Sequence, residues 1–174
     1  MNYFLQGFGV FLGVIAGVAI TLLTQWINEK VRESRKVNNL EFELQLNIKK
    51  IDKWLEEIVK YRNAVNGDTL NTYFAYFDLS RFVTVTANDM FLSGLLYKYL
   101  DYETLEKLQV VFSEFTLTWE TFLNNDLTQN RNKAIQEPTS WPTFKRKVLF
   151  NVDFWDNKFK EHKKTLGDIL KKLA

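Results

Sequence analysis

The feature of the sequence that most restricts its fold is an uncharged, largely apolar stretch from Tyr3 to Trp26. A helix of about 20 residues, rising about 1.5 Å per residue, crosses a hydrocarbon core of roughly 30 Å. Tyr3 and Trp26 bracket the stretch, and amphipathic rings of this kind prefer the boundary between bilayer and water. The sequence therefore predicts a transmembrane helix over residues 3–26, followed by a domain over residues 27–174.

Two other structures could explain an apolar N-terminal stretch. A signal peptide normally has basic residues before a shorter apolar core, whereas no Lys or Arg precedes this stretch. A buried helix of a soluble protein seldom contains much glycine, because each Gly costs about 1 kcal/mol relative to Ala. Four of the seven glycines lie in this stretch, so a membrane span is favoured over both alternatives.

The charges that flank the stretch predict its orientation. No basic residue comes before it, and Lys30, Arg32, Arg35 and Lys36 follow it. The positive-inside rule then places the N-terminus outside and the C-terminal domain in the cytoplasm. These four residues are also predicted to lie at the membrane surface, where each basic residue gains about 1 kcal/mol from anionic headgroups.

One face of the predicted span is small or polar, and the opposite face is bulky, when the residues are placed at 100° intervals. Gly9, Gly13 and Gly17 form GxxxGxxxG, a spacing that lets helix backbones approach closely. Because polar groups without partners are costly in lipid, the span is predicted to self-associate. The residues predicted to line the contact or a pore are Gln6, Gly9, Val10, Gly13, Gly17, Thr21, Thr24 and Asn28.

Two assemblies of this face remain open. In a dimer, the small residues would pack along the seam between two helices. In a ring of helices, the same face would line a central water-filled passage, as polar residues of membrane spans often do. Gln6 would then lie at one mouth of the passage, and Thr24 and Asn28 at the other.

The remainder of the chain predicts an all-α fold, in which the single transmembrane helix continues into a cytoplasmic helical bundle. Only 2 Pro and 7 Gly interrupt the sequence, which favours long helices. The first helix is predicted to run to about Tyr61 and to end in a turn at residues 66–68. Asp101 is predicted to cap a later helix, and residues 140–142 to begin the last one.

The segments between these helices are less regular in pattern. Residues 81–86 have strand propensity but nothing to pair with, so they are predicted as helix or loop. Asn88 and Asp89 offer an N-cap for a helix from Met90 to Leu100. The polar, Asn-rich run from Asn124 to Pro138 is predicted as the longest loop. One buried helix face is predicted from Leu105, Leu108, Phe112, Phe115, Trp119 and Phe122.

The sequence contains no recognisable catalytic constellation. There is no cysteine and one histidine, which excludes disulfides and the usual zinc sites. No phosphate-binding loop, dinucleotide fingerprint or HExxH motif is present. His162 lies on the apolar stripe of the last helix and is predicted to be a core histidine with one hydrogen-bond partner, rather than a general base. The chain is therefore predicted to be a non-enzyme without metal or cofactor.

The last helix is rich in basic residues, which could contact RNA or anionic lipid. An ordinary solvated face is the simpler interpretation. The carboxylates Glu56, Glu57, Asp153 and Asp156 are likewise predicted to lie on solvated faces in ion pairs. The basic residues are Lys145, Arg146, Lys147, Lys158, Lys160, Lys163, Lys164, Lys171 and Lys172.

In its architecture the chain resembles the small membrane accessory proteins encoded beside the RNA-guided effector nuclease of type VI-B CRISPR systems. The resemblance lies in the length, the single N-terminal span beginning Asn2-Tyr3-Phe4, and the helical remainder. It implies a homo-oligomeric pore in the bacterial inner membrane that supports anti-phage defence. The implied partners are further copies of the chain, the bilayer and the nuclease.

The family is also described with an Arg-x4–6-His motif in a ribonuclease-type helical domain. This chain departs from the motif, since Trp155, Asp156 and Asn157 stand five to seven residues before His162. RNA cleavage through that motif is therefore not expected. The alternative to a pore is a membrane-tethered helical module that localises a partner without opening a passage.

Overall fold

The computed structural model describes the backbone of residues 2–173 and the side chains of residues 13–173. Every regular element within residues 2–173 is helical, which confirms the predicted all-α class. Short 3-10 turns cover Leu79–Arg81 and Leu95–Lys98. The five α-helices are α1 (Asn2–Asn66), α2 (Val85–Leu92), α3 (Tyr102–Glu114), α4 (Leu117–Gln136) and α5 (Trp141–Leu173).

Helix α1 is continuous over 65 residues and ends at the predicted turn. The amide of Gly67 donates to the Asn63 carbonyl at 2.8 Å, and the amide of Thr69 donates to the Ala64 carbonyl at 2.9 Å. The residue with left-handed backbone is Asp68, at φ 55°, rather than the neighbouring glycine. Aspartate tolerates this conformation better than most side chains do, because it can bond locally to the backbone.

Packing divides the chain into two units, Met1–Asn39 and Leu40–Ala174. In the first unit, every residue from 13 to 32 is exposed. Among the described residues, no helix contains a segment long and apolar enough to cross a membrane. The side chains of residues 3–12, where the predicted span begins, lie outside the described residues. The predicted boundaries at residues 26 and 27 stay predictions.

An aromatic cluster forms the centre of the second unit. The ring of Trp54 lies 5.1 Å from that of Phe115 and 5.7 Å from that of Phe159, between centroids. Phe82 stacks on Phe115 at 4.3 Å. Such pairs contribute about 0.5–1.5 kcal/mol each beyond the burial of their area. The cluster thus joins α1, α3, α5 and the segment before α2 into one core.

The predicted single face from Leu105 to Phe122 is wrong, because the chain breaks between α3 and α4. Phe115 leaves the helical conformation at φ −93°, ψ 68°. Thr116 then caps α4, and its hydroxyl accepts a hydrogen bond from the amide of Trp119. Phe115 is buried in the core, whereas Phe122 on the new helix is 59% exposed.

The predicted loop from Asn124 to Pro138 is also wrong, because α4 continues to Gln136. Glu120, Leu123, Leu127 and Asn130 are all buried, at the three- and four-residue spacing of a single helix face. Asparagine has low intrinsic helix propensity, but the packing of this face outweighs that local preference.

The predicted helix from Met90 to Leu100 is wrong in both of its boundaries. Helix α2 begins at Val85 and ends at Leu92. Gly94, at φ 75°, then turns the chain into the second 3-10 segment. The other two boundaries are confirmed, since Asp101 accepts a hydrogen bond from the Thr104 amide at 2.8 Å and α5 begins at Trp141.

Candidate membrane and self-association site

The described part of α1 in the first unit exposes large apolar side chains around most of its circumference. At 100° per residue these positions cover about three quarters of a full turn. A helix that is apolar almost all round is normally buried in protein or in lipid. The exposed side chains are Val14, Ile15, Val18, Ile20, Leu22, Leu23, Trp26, Ile27 and Val31.

The remaining quarter of the circumference is the predicted small and polar face. A Cβ atom added to Gly13 or Gly17 would meet no atom within 4 Å, so the surface at both glycines is open. Thr21, Thr24 and Asn28 are exposed on the same face. The side chains of three further predicted positions lie outside the described residues, namely Gln6, Gly9 and Val10.

The hydroxyl groups of Thr21 and Thr24 do not need a partner outside α1, so the prediction that they do is wrong. The hydroxyl of Thr21 donates to the Gly17 carbonyl, and that of Thr24 donates to the Ile20 carbonyl, each at 2.8 Å. Threonine can bond back to the carbonyl four residues earlier within its own helix. Both hydroxyl hydrogens are therefore satisfied inside α1, so within residues 13–28 the open glycine surface is the stronger reason for self-association.

The four basic residues predicted to lie at the membrane surface differ in their exposure and in their ion pairs. Lys30 forms an ion pair with Glu33 at 3.7 Å. Arg32 and Arg35 are exposed, whereas Lys36 is partly buried. Three of the four residues are thus exposed, and their contact with headgroups stays a prediction.

His162 is a core histidine, as predicted. It is 5% exposed, and its Nε2 lies 2.6 Å from Oε2 of Glu114. The other oxygen of Glu114 binds Lys158 at 2.8 Å, and the imidazole packs edge-on against the ring of Phe115 at 5.4 Å. The described residues contain no group of three or more acidic, histidine or cysteine side chains that could hold a metal ion.

The sequence did not reveal how the segment between α1 and α2 is held. The side-chain amide of Asn47 makes two hydrogen bonds to Val83, donating to its carbonyl at 2.6 Å and accepting from its amide at 2.9 Å. Asn124 binds both backbone groups of Phe77 in the same way, at 2.8 and 2.9 Å. Each asparagine supplies the bonds that a neighbouring strand would supply.

Two buried carboxylates complete this support. Glu43 accepts from the amides of Thr86 at 2.7 Å and Ala87 at 3.1 Å, and Glu120 accepts from the amide of Ser80 at 2.7 Å. The sequence does contain one indication of this support. Asn47 is a polar residue at helical spacing between the apolar residues Leu44 and Ile51, so it is expected to lie on the buried face.

Most basic residues of α5 form ion pairs, and six of the nine are exposed, which agrees with the predicted solvated face. Asp156 forms the predicted ion pairs, with Arg62 and Lys160, but it is only 7% exposed, so the prediction that it lies on a solvated face is wrong. Burial raises the pKa of Asp156, but its bonds to the two cations outweigh burial and lower the pKa overall. The other pairs are Lys145–Asp68, Lys158–Glu114, Lys163–Asp52, Lys171–Asp168 and Lys172–Asp101.

No protein-family model, curated protein or solved structure matches this chain.

Proposed function

We propose that the chain is a single-pass membrane protein that assembles with copies of itself through α1, and that the assembly opens a pore. The observation that carries the proposal is the exposed apolar surface of residues 13–31. Each Å² of such surface costs about 25 cal/mol in contact with water. A bilayer on the bulky sides and a second helix on the glycine side would together remove that cost.

The open surface at Gly13 and Gly17 supports helix contact on this side. Without side chains, two backbones can approach closely and gain dispersion energy along the seam, which is the main attraction between helices in lipid. The bulky faces would then remain against acyl chains.

Thr21 and Thr24 support a water-filled passage through the oxygen atoms of their hydroxyl groups, not through unsatisfied hydroxyl hydrogens as predicted. A hydroxyl that donates to its own helix still has lone pairs with which to accept from water. Thr21 and Thr24 would therefore offer a wettable surface without leaving unsatisfied donors when the passage is dry. A pore that is closed until triggered needs both properties.

The resemblance to type VI-B accessory proteins extends the proposal to anti-phage defence at the bacterial inner membrane. The RNA-guided nuclease would then be the source of the activating signal, and the helical domain would receive it. The pore would act by depolarising the membrane.

The test compares Gly17→Leu with Ala19→Leu, a matched control on the opposite side of the helix. We expect Gly17→Leu to abolish cross-linked oligomers in native membranes and triggered dye uptake, because the new side chain separates the backbones. Ala19→Leu should preserve both. Equal behaviour of the two variants would contradict the proposal, and a cross-linking ladder that stops at two would exclude a ring.

The second candidate function is a membrane-tethered interaction module without pore activity. The internal hydrogen bonds of Thr21 and Thr24 are equally compatible with it, because hydroxyl hydrogens that are bonded within their own helix do not require a water-filled passage. Replacement of residues 3–26 by an unrelated Leu-rich helix separates the two functions. A tether would keep its defence activity after this exchange, whereas a pore would lose it.

A further inference from the structure

A small cavity lies between the C-terminal part of α1, α4 and α5, within the second unit of the chain. Much of its wall is apolar, and includes Leu123 of α4 and Val152 of α5. The part of the cavity that the centre of a water molecule can reach is about 20 Å³, which is enough for one water molecule. Four residues with oxygen-bearing side chains interrupt the apolar wall, namely Tyr61, Asp126, Asn130 and Asn151.

The hydroxyl group of Tyr61 is buried at this cavity. Tyr61 is 3% exposed, and among the side chains described, those of residues 13–173, its hydroxyl has no hydrogen-bond partner. Asp126 and Asn130, which line the cavity, both act on the pKa of this hydroxyl, so the group lies close to them. Buried hydroxyl groups nearly always bond to protein or to ordered water, because an unpaired one is costly.

The Tyr61 hydroxyl needs an acceptor, and a carboxylate stands nearby. Burial raises the pKa of Tyr61 to about 12, against the opposite influence of Asn130, so the hydroxyl keeps its hydrogen at neutral pH. Asp126 accepts a hydrogen bond from the side-chain amide of Asn130 at 3.2 Å. An ionised carboxylate has about four lone-pair sites, so Asp126 can accept further bonds from a molecule placed between it and Tyr61.

We propose that the cavity binds one water molecule, which accepts a hydrogen bond from the Tyr61 hydroxyl and donates one to the Asp126 carboxylate. Asn130 and Asn151 also line the cavity and would offer further bonds. A buried water typically makes about three hydrogen bonds to otherwise unpaired groups, and these side chains provide that number. The water would thereby join Tyr61 of α1 to polar groups of α4 and α5.

Other occupants suit the cavity less well. An apolar molecule would leave the Tyr61 hydroxyl unpaired in a buried place, and a larger polar molecule would need more room than the cavity offers. Water has the right size and can both accept and donate. The inference goes beyond the proposed function and does not depend on it, because all the residues involved belong to the second unit.

The test counts the internal water molecules of the full chain in mild detergent, by magnetic relaxation dispersion of oxygen-17 in labelled water. Exchange of the hydroxyl hydrogen does not disturb this count, because the measurement follows oxygen. We expect Tyr61→Phe to lose one slowly exchanging water molecule and to unfold at a lower denaturant concentration, because phenylalanine cannot donate to the water. Tyr97→Phe is the matched control, since Tyr97 is 60% exposed, and should change neither measurement.

Three results would overturn the inference. If Tyr61→Phe raises the unfolding midpoint, the hydroxyl had no partner in the folded protein. If the midpoint falls but the count of internal waters stays the same, the hydroxyl bonds directly to a protein group. If Tyr61→Phe and Tyr97→Phe behave alike in both measurements, the cavity holds no water bound by Tyr61.

Discussion

Asn47 is completely buried, and its amide side chain takes the place of a neighbouring strand for Val83. The carboxylate oxygens of Glu43 and Glu120 likewise accept hydrogen bonds from backbone amides of other segments. Buried polar groups of this kind stabilise a fold when every bond is made and destabilise it strongly when one partner is missing. The largest effects of single substitutions in this domain are therefore expected at polar positions as well as at aromatic ones.

Asn47→Leu should lower the free energy of unfolding by about 2–4 kcal/mol, because the partly buried amide and carbonyl of Val83 would both lose a partner. Asn38→Leu is the control, since Asn38 is exposed on the same helix and should change stability by about 0.5 kcal/mol or less. Chemical unfolding in mild detergent measures both. Similar losses in the two variants would show that Asn47 does not hold the segment.

The stability of the domain should fall in acid, partly through Glu120. Burial raises the pKa of Glu120, but its bonds from Ser80 and Tyr76 outweigh burial, so its pKa lies below the usual range of a glutamic acid. A lowered pKa in the folded state gives stability that is present above the unfolded pKa and lost as pH falls through the folded one. We expect unfolding midpoints to drop below about pH 4.5, and Glu120→Gln to reduce that dependence. An identical pH profile for both proteins would contradict this assignment.

The short helix α2 is capped at its N-terminus by a residue from another helix. It has eight residues, and its N-cap Thr84 makes no side-chain capping bond. Glu43 of α1 instead accepts from two amides of its first turn. A negative charge at a helix N-terminus also interacts favourably with the helix dipole.

Glu43→Ala should therefore loosen α2 selectively. We expect faster hydrogen exchange at the amides of Thr86 and Ala87, and a loss of about 1–3 kcal/mol in stability, the cost of unpaired buried donors. Glu29→Ala on the exposed part of α1 provides the comparison. Unchanged exchange in α2 after Glu43→Ala would mean that solvent or another group replaces the carboxylate.

Three helix boundaries depend on residues close to them in sequence. The beginning of α5, the cap at Asp101 and the end of α1 follow from local signals, and all three are confirmed. Helix α4 was missed because its Asn-rich sequence has weak local preference, while burial of Leu123 and Leu127 decides its structure. Helix α2 was misplaced because its capping group is distant in sequence.

For the whole molecule, the ion pairs of α5 limit what the domain can bind. Six lysines of this helix are paired with carboxylates of the same chain. Binding of nucleic acid gains affinity mainly when cations are free to replace the counterions of phosphates. The large number of lysines on α5 therefore does not by itself indicate that the helix binds RNA.

We expect no saturable binding of single-stranded RNA to the full chain at about 0.15 M salt. Fluorescence anisotropy of a labelled RNA in mild detergent would measure this. Tight binding that weakens steeply with salt would contradict the expectation and would direct attention to Arg146, Lys147 and Lys164, which are the remaining basic residues of the helix.

The all-α class, the continuous first helix and the apolar character of its N-terminal part can all be predicted from the amino-acid order, because helical periodicity and charge are local properties of the chain. Which polar side chains hold the backbone of another segment depends instead on how the helices pack. Asn47 and Val83 are 36 positions apart, and His162 and Glu114 are 48 apart. No local pattern encodes such pairs, since a hydrogen bond depends on positions that exist only after the helices have packed.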